Sequence, residues 1–428
     1  MKRMVLALLV LAAGLLCGCT GSMSSGVEEL LRAPQLAGPQ SSVQKAITAY
    51  LGEAPQLKYP QTGDVLSPFL FGDWNGDGSM DAAALYTSSG MQNVCVAILE
   101  QTGGSWEVTQ ELEGLSAEVD SISTAAMSGD GGMQLLVGYV GTGGEKYLSV
   151  YAYQGHTLTQ VMEQAYSQYE LQDITGSGLK DLILIGPQSG DGVKVQLLTA
   201  IQGELTMAQE LWLGPGRFSS CEGLHLSSGA DGGYYLVLDG WTGISGNNLA
   251  TVLLRFDEES QQMIPAEQIS ASALYSASLR NVPNLVSRDL DGDGTVEIPT
   301  QPDEAGLLNM SQSRRMDFIV WMDYTRPDPE KSFGLLDEET NCYIELPAEW
   351  EGNLLLTDSA DIDDAVELRT VDENKLVLTL RLVPSSASAA GWTRLGVVAS
   401  RQMQAKLGGD AVIQDQTYRL SRSLYRLN

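Results

Sequence analysis

A nine-residue acidic loop recurs along the chain, and this repeat constrains the fold more than any other feature of the sequence. The clearest copy, Asp289–Glu297, has the sequence DLDGDGTVE, and a near copy upstream, Asp73–Asp81, has the sequence DWNGDGSMD. Weaker copies begin at Ala126, Asp173 and Ser227, so the spacing between successive copies varies from 47 to 62 residues. Each loop is followed at once by an apolar run of the kind that forms β-strands.

The length of the repeat predicts the fold class. Most loops are followed by a second apolar run as well, so each unit contains several strands. Units of this kind at intervals near 50 residues are typical of a β-propeller, in which one unit cannot bury its own sheet faces and must pack against its neighbours. We therefore expect a mainly β chain, with five recognisable repeats in a propeller of five to seven blades.

Two loops carry the oxygen ligands that calcium prefers. Loop one offers Asp73, Asn75, Asp77 and Asp81 with the Ser79 carbonyl, and loop five offers Asp289, Asp291, Asp293 and Glu297 with the Thr295 carbonyl. Loop three keeps Asp173 and Asp181 but has Thr175 and Ser177 between them, which predicts weaker binding. Loops two and four have lost nearly all their carboxylates. The alternative is that Asp and Gly are simply good turn formers.

The loops differ from EF-hands, which need a bidentate Glu at position 12 and flanking helices. Position 12 is Ala84 in loop one and Thr300 in loop five. A short acidic loop that runs directly into a strand, preceded in loop one by Phe71-Gly72, resembles the integrin-type FG-GAP or VCBS repeat. The resemblance covers about residues 42–325, and the wider pattern looks like bacterial lipoproteins of this type. It implies a propeller with structural calcium in its loops.

Residues 1–19 resemble a lipoprotein signal peptide. Lys2 and Arg3 precede an apolar run that is too short to span a bilayer, and Leu16-Cys17-Gly18-Cys19 resembles the bacterial lipobox. We expect cleavage before Cys19 and thioether lipidation of that residue, which would anchor the protein to the cell membrane on its extracytoplasmic side. The alternative is an ordinary secretory signal. Residues 20–41 are expected to form a flexible tether, and a short helix capped by Ser41 or Ser42 to extend to about Leu51.

Residues 326–428 are expected to form a small α+β domain after a proline-containing linker. Several strand-like runs precede a tail with an apolar stripe at helical spacing. The members of that stripe are Ile413, Thr417, Leu420, Leu424 and Leu427.

The net charge of −29 argues against nucleic acid as a partner, because phosphates require basic patches. Beyond the signal region only Cys95, Cys221 and Cys342 occur, too few for a disulfide scaffold, and buried thiols are expected.

The sequence shows no recognisable catalytic motif. The only histidines, His156 and His225, lie in unrelated repeats. We therefore expect a non-enzymatic binding protein that recognises an extracellular protein or glycan, with Trp241 as a candidate contact in a polar insertion. The alternative is a cell-envelope hydrolase, such as a glycan-acting enzyme, with paired carboxylates in the propeller channel.

Overall fold

The structure is a computed structural model that describes residues 38–427 except 130, 215–216, 244–247, 267–270, 283–284, 303–305, 327–330, 399 and 410–423. The signal peptide, Cys19 and nearly all of the expected tether therefore lie outside the described residues. The described chain is mainly β, as predicted, and its first four sheets are antiparallel and follow one another along the sequence.

Sheets I and II hold the first two repeats. Sheet I contains β1 Gln56–Leu57, β2 Phe69–Gly72, β3 Asp81–Thr87, β4 Cys95–Thr102 and β5 Ser105–Glu113. Sheet II contains β6 Glu118–Ala125, β7 Gln134–Val140, β8 Lys146–Gln154 and β9 Thr157–Tyr166.

Sheets III and IV repeat the same four-stranded pattern. Sheet III contains β10 Gln168–Gln172, β11 Asp181–Ile185, β12 Val193–Ile201 and β13 Glu204–Leu213. Sheet IV contains β14 Ser220–Ser228, β15 Tyr234–Thr242, β16 Asn248–Asp257 and β17 Gln262–Pro265.

Two further sheets complete the described chain. Sheet V contains β18 Ile298–Thr300, β20 Met316–Met322, β21 Lys331–Asp337, β22 Cys342–Leu346 and β28 Leu424–Arg426. Sheet VI contains β19 Leu307–Asn309, β23 Leu354–Asp358, β24 Ala365–Thr370, β25 Leu376–Pro384, β26 Thr393–Val398 and β27 Arg401–Leu407. The helices are α1 Pro39–Leu51, α2 Ala271–Ala277 and the 3-10 helix Ala348–Trp350.

The repeated loop joins the first strand of a unit to its second strand. In loops one, two, three and five, the residue before the loop pairs with the ninth loop residue. The pairs are Gly72 with Asp81, Ala125 with Gln134, Gln172 with Asp181 and Arg288 with Glu297. In loop four Ser227 itself pairs with Tyr235, so the register is displaced by one residue and the hairpin is tighter. The five predicted repeats therefore correspond to five successive sheets.

The core lies between successive sheets. Central strands such as β3 and β11 are buried on both faces, which is why they are almost continuously apolar. Separate apolar clusters fill the interfaces I–II, II–III, III–IV, IV–V and V–VI. This face-to-face series of meanders is the arrangement expected of propeller blades.

Helix α1 covers the free face of sheet I. Val43 and Ile47 are fully buried in the cluster that contains Phe69, Ala84 and Tyr86. The helix starts at Pro39, earlier than the predicted cap at Ser41 or Ser42, and a proline fits the first turn of a helix because its missing N–H is not needed there. The expected tether therefore ends before residue 39.

Sheet V extends across the expected domain boundary between residues 325 and 326. β20 pairs with β21 over seven residue pairs, from Met316–Asp337 to Met322–Lys331. Residues 326–346 therefore complete the fifth sheet, since Phe333 and Leu335 continue the apolar face formed by Phe318 and Val320.

The described part of the C-terminal region is built of strands and the single 3-10 helix. Most of the predicted tail helix lies outside the described residues, and its end, Leu424–Arg426, is strand β28, paired with β22. The three cysteines are free and buried, as predicted. None of the helices in the described residues has the length and continuous apolarity that crossing a bilayer requires.

Candidate functional site

Loop five gathers three exposed carboxylates. One oxygen from each of Asp289, Asp291 and Asp293 lies within 4.8 Å of the others, which suits a hard cation bound by several oxygens. The predicted ligands of loop five thus converge in part, and the donor chemistry of the cluster fits a metal ion.

Backbone N–H groups also hold loop five in shape. Asp289 Oδ1 accepts hydrogen bonds from the amides of Gly292 (2.7 Å) and Asp293 (3.1 Å), and its Oδ2 accepts one from Gly294 (2.8 Å). Gly292 and Gly294 have φ values of 84° and 90°, which only glycine adopts without strain. The Asp293 carboxylate accepts the Thr295 amide at 2.7 Å.

Glu297 is the most buried acidic group of loop five. Burial raises the pKa of Glu297 to about 7, and the charges of Asp291 and Asp289 add to the rise, while the Leu290 amide opposes it. A bound cation would favour the ionised form of this group.

Loop one repeats this arrangement with an amide at position three. Asp73 accepts the amides of Gly76 and Gly78 at 2.8 and 2.9 Å. The Ser79 amide lowers the pKa of Asp77, whereas burial raises the pKa of Asp81. Asn75 directs its Nδ2 toward Asp77 (3.3 Å) and toward Glu100 of sheet I (3.4 Å), so its side chain is already engaged inside and outside the loop.

Position nine has a structural role that sequence reasoning missed. In four loops its side-chain oxygen accepts the backbone N–H of position two. The pairs are Asp81 with Trp74 at 3.0 Å, Gln134 with Met127 at 2.6 Å, Asp181 with Ile174 at 2.9 Å and Glu297 with Leu290 at 2.8 Å. Loop two does this with an uncharged glutamine, so this contact, the position-nine clasp, does not depend on a metal ligand.

Loop three is held by the same contacts with fewer carboxylates. Asp173 accepts the amides of Ser177 (2.9 Å) and Gly178 (2.8 Å), and the Asp181 carboxylate accepts the Thr175 hydroxyl at 3.2 Å. Neighbouring loops also touch one another. The Lys180 amide of loop three donates to the Ala126 carbonyl of loop two at 2.8 Å, and the Ser228 amide of loop four donates to Gly294 of loop five at 2.9 Å.

A separate cavity of about 680 Å³ lies along the first strands of sheets I, II and III. Leu70 of β2, the segment Asp120–Thr124 of β6 and the segment Gln168–Leu171 of β10 line it, together with the loop Thr62–Val65. The first strand forms the inner edge of each sheet, so the cavity occupies the position of a propeller channel. Three carboxylates, one lysine and two tyrosines enter the same space.

The first half of this lining is already paired. Asp120 is buried and accepts hydrogen bonds from Lys146 Nζ at 2.8 Å and from the Tyr166 hydroxyl at 2.6 Å. The Tyr169 hydroxyl lies 3.3 Å from Ser121 Oγ and 3.0 Å from Ser123 Oγ. The rings of Tyr166 and Tyr169 meet edge to face with centroids 5.6 Å apart, which fixes both side chains.

The second half of the lining carries uncompensated negative charge. Glu170 is half-buried, and burial raises its pKa to about 7, with a further rise from the charge of Asp64. Asp64 is exposed at the cavity mouth. Neither carboxylate has a side-chain hydrogen bond or ion pair to another described residue.

Trp241 lies outside this cavity. It belongs to β15 and is half-buried, and its indole Nε1 donates to Glu222 at 2.7 Å. Most of the polar insertion after it, residues 244–247, lies outside the described residues. By comparison Trp212 on β13 is 49% exposed, a residue that the sequence did not single out.

No protein-family model and no curated protein matches this chain. Among solved structures, a protein from Lactobacillus plantarum is similar over 83% of this chain and 86% of its own, at 11% identity and a TM-score of 0.31. The exotype rhamnogalacturonan lyase YesX is similar over 78% of this chain and 72% of its own, at 9% identity and a TM-score of 0.30. The rhamnogalacturonan lyase YesW gives 74% and 66%, at 10% identity and a TM-score of 0.30. These TM-scores are too low to carry an argument, so the fold assignment rests on the sheets themselves.

Proposed function

We propose that this protein is a lipid-anchored extracytoplasmic binding protein that recognises a glycan or an extracellular protein at the inner-strand cavity. The cavity supports the proposal because it places hydroxyl, amide and carboxylate groups beside two fixed tyrosines. Ligand sites combine concave shape with a few oriented polar groups in this way. In this proposal the protein is not an enzyme, and its acidic surface excludes nucleic acid as a partner.

Calcium has a structural role in this proposal. The carboxylates of Asp289, Asp291 and Asp293 would hold the ion in loop five, with Glu297 and the Thr295 carbonyl nearby. Loop one would use Asp73, Asn75, Asp77, Asp81 and the Ser79 carbonyl, and loop three would bind more weakly through Asp173, Ser177 and Asp181. The ion would add charge compensation to loops whose shape the backbone amides already hold.

Binding to defined glycans tests the site. The purified chain without its signal region is expected to retain one or more cell-envelope oligosaccharides on a glycan array, and a Ser121→Ala, Ser123→Ala double variant is expected to lose at least tenfold in affinity. A matched Ser189→Ala variant, in a turn far along the chain from the cavity, should bind like the wild type. Retention that is equal in all three proteins would contradict a role for the cavity.

A second candidate function is hydrolysis of a glycan. It is favoured by the presence of three carboxylates in one cavity, one of them with a raised pKa, as in glycosidases that use an acid and a second carboxylate. The assay is release of reducing ends from the oligosaccharides that bind. Turnover that Glu170→Gln abolishes would establish the hydrolase and overturn the binding-only proposal.

Membrane attachment is tested separately at Cys19. Acyl chains contribute about 0.8 kcal/mol per buried CH₂, so a multiply acylated cysteine anchors a protein stably. The wild type is expected in the membrane fraction and a Cys19→Ala variant in the soluble fraction. A Cys17→Ala variant is the control and should remain in the membrane fraction.

A further inference from the structure

We propose that the inner-strand cavity takes a glycan that carries a primary ammonium group, with Glu170 and Asp64 as the counter-ions of that group. This inference rests on the proposed function and adds the chemical class of the ligand.

The charge distribution of the cavity supports a cationic ligand. Its lining contains three carboxylates and one basic residue, Lys146. Lys146 is committed to Asp120, which lies 2.8 Å from its Nζ and also accepts the Tyr166 hydroxyl. The remaining two carboxylates therefore have no cation within the described part of the cavity.

The burial of Glu170 gives that imbalance an energetic consequence. A carboxylate that loses water without gaining a partner is destabilised in its ionised form. Asp64 lies close enough for its charge to add to this effect. An ammonium group placed between the two carboxylates would compensate both, and its attraction would be less screened than at an open surface.

The rest of the lining favours a sugar as the carrier of the ammonium group. Ser121, Ser123 and Gln168 offer hydrogen-bonding groups suited to hydroxyls. The aromatic side chains of Tyr166 and Tyr169 are held in place by Asp120 and by the two serines, so they form a rigid wall for an apolar ring face or a cation.

The test compares two oligosaccharides that differ only in charge. Titration calorimetry at pH 7 would measure binding of a glucosamine tetramer and of its fully N-acetylated form. We expect the wild type to bind the glucosamine tetramer at least tenfold more tightly. Glu170→Gln should reduce that preference to less than threefold without weakening the N-acetylated form, and Asp64→Asn should reduce it in part.

Glu107→Gln, which neutralises an exposed carboxylate of β5, is the matched control and should keep the preference. Thermal unfolding of each variant checks that it is folded, and Asp64→Asn tests the inference independently because Asp64 is exposed.

The outcomes separate the two proposals. Equal binding of both tetramers, unaffected by Glu170→Gln, would overturn the ammonium inference and leave glycan binding standing. Binding of neither tetramer would overturn the inference, and an array without any retained glycan would in addition overturn glycan binding. A trilysine peptide that binds as tightly as the glucosamine tetramer, with the same loss in Glu170→Gln, would overturn the assignment to a sugar.

Discussion

Asp120 and Glu170 show how two carboxylates of one cavity acquire different properties. Asp120 is nearly fully buried, but Lys146 and Tyr166 compensate its charge. Glu170 is less buried, and Asp64 places a second negative charge near it. The difference arises from partners supplied by other strands.

The raised pKa of Glu170 predicts a specific dependence of stability on pH. The pKa of about 7 in the folded state lies above the ordinary value of 4.5, so the folded state binds the proton more tightly than the unfolded state. The contribution of Glu170 to stability is therefore fully present below about pH 4.5 and falls as the pH rises through 7. Because the group is partly exposed, we expect a Glu170→Gln variant to recover on the order of 1 kcal/mol at pH 8.

Urea unfolding of Glu170→Gln and wild type at pH 4.5 and pH 8 measures this effect. The two proteins should be closer in stability at pH 4.5 than at pH 8. The exposed Glu107→Gln variant should show no such difference between the two pH values. A Glu170→Gln gain that is the same at both would contradict a proton held by Glu170.

Asp291 allows the metal role to be separated from the shape of the loop. Its Oδ1 accepts one amide, that of Asp293 at 3.1 Å, whereas Asp289 accepts three. If calcium binds with the weak affinity of extracellular modules, 5 mM calcium should stabilise the wild type by about 1 to 2 kcal/mol. Asp291→Asn should lose much of this gain, and Asp191→Asn, outside the acidic loops, should keep it. A chelator without effect on the wild-type melting temperature would argue against structural calcium.

The acidic loops act as elements because one hydrogen bond closes each of four hairpins. The position-nine clasp satisfies a backbone amide that would otherwise lie unpaired at the start of the loop, as for Met127, which is fully buried. This explains how loop two keeps its shape after losing its carboxylates.

The position-nine clasp predicts that Gln134→Ala destabilises the protein although Gln134 is uncharged. Leaving the buried Met127 amide without a partner should cost about 1 to 3 kcal/mol. Chemical denaturation with and without calcium is the measurement, and the loss should be the same in both. Gln154→Ala, at the end of β8, is a control on the same sheet, and a loss no larger than in that variant would contradict the clasp.

Helix α1 is the element that closes the free face of sheet I. Ile47 is fully buried among apolar side chains of that sheet. Ile47→Ala should therefore destabilise the protein by about 2 to 5 kcal/mol, because it leaves a cavity in a packed interface. Lys45→Ala, on the exposed side of the helix, should change the stability by less than 0.5 kcal/mol by the usual rule for surface sites. Equal effects in thermal unfolding would contradict the packing role of the helix.

At the scale of the molecule, the sheets form a continuous series in which each buries the face of the next. The series starts at helix α1 and continues to sheet VI, whose apolar side chains pack against sheet V. In the described residues, the cluster on the free face of sheet I contains helix residues and no residue of sheets V or VI.

This continuity predicts that the chain cannot be divided at residue 325. A fragment of residues 38–325 would lack β21 and β22, so sheet V would expose the apolar residues that face them, such as Phe318 and Val320. We expect the fragment to bind a hydrophobic dye and to unfold without a sharp transition, whereas residues 38–428 should unfold cooperatively. Cooperative unfolding of the fragment near the same temperature would contradict the prediction.

The five loops were predictable because turn chemistry is local. Gly292 and Gly294 need positive φ values, and the aspartates bond to amides two to five residues away. The strand after each loop followed from its continuous apolarity. The extent of sheet V was not predictable, because the pairing of β20 with β21 depends on a partner across a proline-containing linker that looks like a boundary.

The sequence by itself determined that the chain is mainly β, that it contains five repeats, and which side chains each acidic loop offers to a cation. These properties depend on residue type and spacing over fewer than ten residues. Only the tertiary structure decided that Asp64, Asp120 and Glu170, from three different units, line one cavity, and that Lys146 compensates just one of them. The sequence does not reveal this because the distances between separate sheets, and the solvent each carboxylate loses, arise only when the sheets pack together.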